Sequence, residues 1–374
     1  MNAIAAANGA RAPGAAPTAH GTRAPDAQEV ALADKLAFLG RASSYPDSPA
    51  GVLARETHMS WVFLAGPKAY KLKKPVRYDY LDYRTLDRRR QMCEQEVLLN
   101  RRLAADVYEG VAALVRGRDG GLALIPAGRP LDGEAVEWLV QMRRLPDELM
   151  LDRAIARNTA RHADAERAAA HLAAFFMSAP RCARTVPEHS AALRRAIAQS
   201  AAAITALGAA HATAGGITQR GRLPPIEPIM ERQFVFIDAR RALLEQRVTA
   251  GRIVEGHGDL RPEHVFLGEP PAVIDCIEFD RELRLVDPLE ELAFLRMECA
   301  RLGGERWGEL FLETWLRTSG DLAAEPLLAF YVSLRACVRA RLALGHLEGR
   351  ADTDHWLAKA QDYLEIAGRH AARL

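Results

Sequence analysis

Hydrophobic periodicity changes character once along this chain, at Pro146, and that change limits the folds open to it. Before Pro146 the apolar residues mostly alternate. The runs 60–65 and 69–73 flank a Gly66-Pro67-Lys68 turn and predict a hairpin. Leu86, Cys93, Val97 and Ala104 recur at helical spacing, so 85–104 reads as one helix. A short helix ending near Leu39 precedes the hairpin, and strands at 111–116, 122–126 and 136–143 follow the longer helix. After Pro146 the period is helical. Helices are predicted at 148–156, 163–178, 188–208, 228–249, 288–302, 305–318, 324–346 and 352–371, with a Gly-rich polar loop at 209–224. Two strand-like runs, 264–267 and 272–275, interrupt them. A sheet-rich segment followed by a helical one that carries a small hairpin predicts an α+β, two-lobe fold, with lobes at 29–146 and 147–374. Residues 1–28 are dominated by Ala, Gly, Pro, Thr and Arg without periodicity, and read as a disordered tail.

Composition narrows the class. The chain has 374 residues, 49% of them hydrophobic, enough for a substantial core. A net charge of +2 gives no reason to expect a nucleic-acid partner. No uncharged apolar run is long enough to span a membrane, and no signal-peptide core follows the start. The five cysteines are scattered without a CxxC pair, which points to reduced thiols and a cytoplasmic location. Lysine usage is skewed. Of 50 basic residues only six are lysine, and Lys68, Lys71, Lys73 and Lys74 fall within seven positions. A compact ammonium is chemically distinct from the planar guanidinium used elsewhere in this chain.

The most informative stretch is His257-Gly-Asp-Leu-Arg-Pro-Glu-His264, followed by Ala272-Val-Ile-Asp-Cys-Ile-Glu-Phe279. Asp259 sits in a loop before a strand, and Asp275 ends the next strand. A two-strand hairpin returns both carboxylates to the same end. Such a pair suits phosphoryl transfer: one carboxylate accepts the proton of an attacking hydroxyl, the other holds Mg²⁺ on nucleotide phosphates.

These motifs, with Asp287-Pro-Leu-Glu-Glu-Leu-Ala293, resemble the aminoglycoside and choline phosphotransferase branch of the protein-kinase-like fold. Upstream, Lys68-Ala-Tyr-Lys-Leu72 resembles the lysine strand of that fold, and Glu96-Val-Leu-Leu99 its helix glutamate. Longer phrases around Glu56, Tyr70 and Glu96 resemble a bacterial group described only as aminoglycoside phosphotransferase-like, some of whose members add a P-loop kinase domain. No GxxxxGK[ST] occurs in these residues, so a member without that domain is expected.

The resemblance implies an ATP- and Mg²⁺-dependent phosphotransferase (Mn²⁺ is also possible) acting on a small-molecule hydroxyl. Lys71 would hold the nucleotide phosphates, with Lys73 the alternate, and Glu96 would steady the lysine. Asp259 would be catalytic and Asp275 would bind the metal. The connection that contacts adenine would follow strand 136–143, near Met142. Two positions depart from the family pattern. His264 replaces an Asn metal ligand, and either His264 or Glu278 would complete the metal site. The Gly-rich phosphate loop is replaced by Glu56-Thr-His-Met-Ser60, where Ser60 and backbone N–H groups would serve. The same departures also suit a nucleotide-binding pseudokinase that regulates a partner.

Overall fold

The expected hairpin forms the middle of a six-stranded antiparallel sheet in a computed structural model that describes residues 30–78, 81–213, 223–322, 324–347 and 353–374. The tail expected over 1–28 lies outside the described residues. Two compact units divide the chain, one ending at Leu145 and one comprising Pro146–Leu374.

In the first unit α1 (Leu32–Leu39) precedes β1 (Val52–Glu56), β2 (Ser60–Ala65) and β3 (Lys68–Lys73), and a small ribbon of β4 (Arg77–Tyr78) and β5 (Leu81–Asp82) leads to α2 (Leu86–Ala104). β6 (Tyr108–Arg116), β7 (Leu122–Ile125) and β8 (Glu134–Arg143) complete the sheet in the order β1-β2-β3-β8-β6-β7. Gly66 makes the β2–β3 turn at φ +57°, a left-handed conformation that suits glycine. Thr85 caps α2 by accepting the Arg88 N–H. One sheet face builds a core of Phe63, Tyr70, Leu72, Leu114 and Leu139 with Leu39 of α1.

The second unit is helical: α3 (Leu151–Ala156), α4 (His162–Ser178), α5 (Val186–Thr213), α6 (Glu227–Ala239) and α7 (Arg241–Thr249). Four two-residue strands follow, β9 (Val254–Glu255), β10 (Val265–Phe266), β11 (Ala272–Val273) and β12 (Leu285–Val286), and then α8 (Pro288–Arg301), α9 (Glu305–Ser319), α10 (Glu325–Gly345) and α11 (Thr353–Ala371). β10 pairs with β11, and β12 with β9. Three local expectations are corrected. The single helix expected over 228–249 is two, because Arg240 leaves helical geometry at φ −109°, ψ 25°. The runs 264–267 and 272–275 pair over only two residues each. The loop expected over 209–224 is helical up to Thr213, and its residues 214–222 lie outside the described residues.

Asp287 starts α8, as its place before Pro288 predicts, by accepting the Leu289 N–H at 3.0 Å. Arg247 clamps Asp287 with two bonds of 2.7 Å and Asp321 with bonds of 2.5 and 2.7 Å. Tyr331 and Trp315 donate to the same two carboxylates. Among the described residues no helix is long and apolar enough to cross a membrane.

Candidate active site

Side chains alternate across a strand, so register decides which residues of the sheet share a face. Ser60, Val62 and Leu64 of β2 stand opposite Lys73, Lys71 and Ala69 of β3, and Val140 and Met142 of β8 continue that face. The face is graded. Val62, Leu64, Ala69 and Met142 form an apolar cluster at one end. At the other end Lys71 Nζ meets Glu96 Oε1 at 2.8 Å and Lys73 Nζ meets Glu96 Oε2 at 2.6 Å. Glu96 reaches both lysines from α2 and is wholly buried. Lys73 also lies over the Tyr83 ring, 5.3 Å from its centroid. Lys71 is the more exposed of the two, with 7% of its side chain accessible against 1%. Ser60 is buried at the start of β2, where its backbone exchanges bonds with the Thr57 hydroxyl. Met142 lies within β8 rather than in the connection after it.

In the second unit the Asp259 loop is held from behind. Gly258 adopts φ +90°, and a Cβ there would come within 2.9 Å of Ile277 Cδ1. Glu291 of α8 accepts the backbone N–H groups of His257, at 2.8 Å, and of Gly258. Burial lifts the Glu291 carboxyl to about 7. His257 Nε2 lies 2.9 Å from the Ile274 carbonyl, and burial, with His264 alongside, pushes its pKa down to about 3. The ring is therefore neutral and binds the loop to the segment that carries Asp275.

His264 spans the two aspartates. Its Nδ1 lies 2.8 Å from the Asp259 carbonyl oxygen, and its Nε2 lies 3.5 Å from Asp275 Oδ2 and 3.2 Å from Arg261 Nη2. A guanidinium can only donate, so Nε2 accepts from Arg261 and Nδ1–H donates to the carbonyl. Burial and Arg261 lower the pKa of this ring. Arg261 Nε also donates to Asp259 Oδ2 at 3.1 Å, and its Nη1 reaches Glu263. Burial would raise the Asp259 carboxyl, but Arg261 and its neighbours hold it below the usual range. The second oxygen, Oδ1, is buried without a hydrogen-bond partner. Asp275 is held at φ +65°, a strained conformation for a residue with a side chain. Glu278 is buried three residues further on.

Among the described residues no group of three or more His, Cys, Asp or Glu side chains is arranged to hold a metal ion. His264, Asp275 and Glu278 therefore do not make a ready three-ligand site, and the His264 Nε2 lone pair is turned to Arg261. The donor chemistry instead fits a Mg²⁺ that takes one or two carboxylates and fills its remaining positions with phosphate oxygens and water.

Arg261, Arg335, Arg339 and Lys359 stand out only in three dimensions. Arg335 of α10 donates to the Gly258 carbonyl at 3.2 Å, and Arg339, one turn on, has a buried Nη1 without a partner. The one sequence signal for Lys359 was the scarcity of lysine.

A strand lysine joined to a helix glutamate, and a helical unit whose His-Gly-Asp loop precedes a short hairpin and a second aspartate, make an α+β chain of two units. No protein-family profile matches the chain. Uncharacterised proteins of Mycobacterium tuberculosis and Mycobacterium bovis are 35% identical over 322 residues, or 84% of this chain. The chain spans 60% of the length of these relatives. Among solved structures, a choline/ethanolamine kinase family protein from Mesorhizobium loti aligns at TM-score 0.46 and 14% identity, covering 91% of this chain and 98% of that one. An aminoglycoside-3'-phosphotransferase of type VIII aligns at 0.42 and 15%, covering 83% and 98%. A putative aminoglycoside phosphotransferase from Ralstonia eutropha aligns at 0.42 and 11%, covering 87% and 93%. At such scores the overlays are loose, and nothing about this chain's chemistry follows from them.

Proposed function

We propose that this chain is an ATP-dependent phosphotransferase acting on the hydroxyl of a small molecule. The observation that carries the reading is the single imidazole of His264, which spans the Asp259 loop and Asp275 and so brings two carboxylates of different surroundings together. The graded sheet face supports it. An apolar end suits a nucleotide base, and Lys71, steadied by Glu96, suits its phosphates. Asp275, with Glu278 in reserve, would hold Mg²⁺, which neutralises charge on the phosphates when bound. His264 positions the loop and leaves the metal to oxygen donors. Asp259 accepts the acceptor's hydroxyl proton as that oxygen bonds to the γ-phosphorus. The bond from phosphorus to the bridging oxygen breaks, and ADP leaves.

The test is a thermal shift with ATP and Mg²⁺, combined with turnover. ATP with metal raises the parent's midpoint. Asp259→Asn keeps that shift and loses transfer by about 10²- to 10⁴-fold. Asp275→Asn weakens the metal-dependent shift itself. Equal loss of binding in both variants would refute the assigned roles. A second reading, a nucleotide-binding pseudokinase, draws on Arg261, which occupies one oxygen of Asp259. A midpoint shift without ADP release from any hydroxyl compound would favour it.

A further inference from the structure

Five of the six lysines face a carboxylate: Lys35 meets Glu137, Lys68 meets Glu109, Lys71 and Lys73 meet Glu96, and Lys74 meets Glu56. Among the described residues no carboxylate lies within ion-pair reach of Lys359. Its ammonium lies over the Trp356 ring, 5.3 Å from the centroid, and that ring stacks on His346 at 4.0 Å. Lys359 stands one turn before Tyr363 on α11, so the two share a face. The Tyr363 hydroxyl donates to Glu298 at 2.7 Å and lies 3.4 Å from Arg339 Nε. Arg339 in turn stands one turn beyond Arg335, which touches the residue before Asp259. The path from Asp259 to Lys359 therefore runs through packed side chains of α10 and α11.

Charges crowd this path. Arg339 lies 3.4 Å from Glu298 and is also acted on by Asp259, and Arg301, which also faces Glu298, is matched by Asp362. The charges that act most on Lys359 are Arg339, Glu298, Arg301 and Glu263, and burial together with Arg339 lowers its pKa. Glu263 is already paired with Arg261. Arg339 Nη1 and Asp259 Oδ1 are both buried without a hydrogen-bond partner, a costly state for either atom unless a ligand completes it.

We infer that the acceptor is a hydroxyl compound bearing an oxyanion, a carboxylate or a phosphate, held by Arg339 and Lys359 with its hydroxyl turned to Asp259 Oδ1. This rests on the phosphotransferase reading and names its substrate class. A cationic aminosugar or quaternary amine would meet two positive charges in this place. Trp356 and His346 offer a flat apolar wall for the carbon skeleton.

The experiment uses the full chain and two readouts. The first is the thermal midpoint without nucleotide, with gluconate and glycerate as carboxylate probes and glucose 6-phosphate and glycerol 3-phosphate as phosphate probes. Glucose and glycerol are the neutral controls, and glucosamine and choline the cationic ones. One or both anionic sets should raise the midpoint above the neutral set, and the set that does so identifies the oxyanion. Lys359→Met, which keeps the apolar stem, should abolish the difference, and Lys359→Arg should retain it. Anions also stabilise proteins non-specifically, so an equal rise in parent and Lys359→Met overturns the inference. The second readout is ATP-dependent ADP release. Anionic hydroxyl compounds should be turned over best, and Lys359→Met should raise their KM tenfold or more while leaving the KM for ATP unchanged. Preferred turnover of neutral or cationic compounds overturns the anion site and leaves the phosphotransferase standing. An anion shift that depends on Lys359, in a chain that no nucleotide stabilises, retains the anion pocket and overturns the phosphotransferase.

Discussion

On the sheet face two buried ammonium groups converge on one carboxylate, whereas behind the Asp259 loop two buried carboxylates converge on one guanidinium. Glu96 gives one oxygen to each of Lys71 and Lys73. Arg247 gives Nε and Nη2 to Asp287, and Nη1 and Nη2 to Asp321. The difference lies in what the cation can do. A guanidinium is a planar fork, and here the fork is filled: Tyr331 and Trp315 close the remaining sides of its carboxylates, and Asp287 also caps α8. That cluster is a brace. An ammonium is a compact charge on a flexible stem that can exchange partners. Glu96 meets both such groups, one with each carboxylate oxygen. The brace fixes where α8 starts, and the lysine pair holds the α2 glutamate to the sheet.

Breaking the brace should have the largest effect. Arg247→Met leaves Asp287 and Asp321 buried with like charge, and removing one partner of a buried pair typically costs about 3–5 kcal/mol. Urea denaturation should register that loss. A change below about 1 kcal/mol would mean that the clamp contributes little and that the contrast with the lysine pair is misplaced.

The lysine pair should respond in the opposite sense. Lys71→Met keeps Lys73 against Glu96, so stability should fall by less than the ~3–5 kcal/mol expected for the brace. ATP affinity should fall about tenfold or more, equivalent to about 1.4 kcal/mol. Lys73→Met removes the more deeply buried lysine and should spare more of the ATP affinity. Titration calorimetry on both variants sharpens the comparison. A larger loss from Lys73→Met would reverse the assignment of the phosphate-binding lysine.

How much of this was legible depended on sequence distance. Periodicity located the β2–β3 hairpin, α2 and the late helices to within a few residues, because those signals are local. It missed β1, whose residues 52–56 include exposed positions on an edge strand. It ran α6 into α7, because no glycine or proline marks the break at Arg240. The α+β class and the meeting of Lys71 with Glu96 could be anticipated because their motifs are short and ordered along the chain. Arg247, Arg261, Arg339 and Lys359 could not. Their partners lie on other elements, or two residues away in an irregular loop, and one arginine among 44 carries no mark of its own. The contact of His264 with Arg261 was hidden for the same reason, since it depends on which ring nitrogen faces the guanidinium.

The last effect concerns how the Asp259 loop is held as pH changes. Glu291 accepts two backbone N–H groups of that loop, yet its burial raises the carboxyl from 4.5 to about 7. The folded chain therefore binds this proton more tightly than the unfolded chain does. The stabilisation from that proton is fully present below about pH 4.5 and is lost as pH rises to about 7, with a slope of at most about 1.4 kcal/mol per pH unit. Glu291→Gln should remove this part of the pH dependence while leaving a carbonyl oxygen to accept from the loop. Midpoints measured from pH 5 to pH 8 in parent and variant isolate it, since other titrating groups contribute equally to both. If the two profiles run parallel, Glu291 stays ionised throughout, and the backbone N–H groups of His257 and Gly258 outweigh its burial.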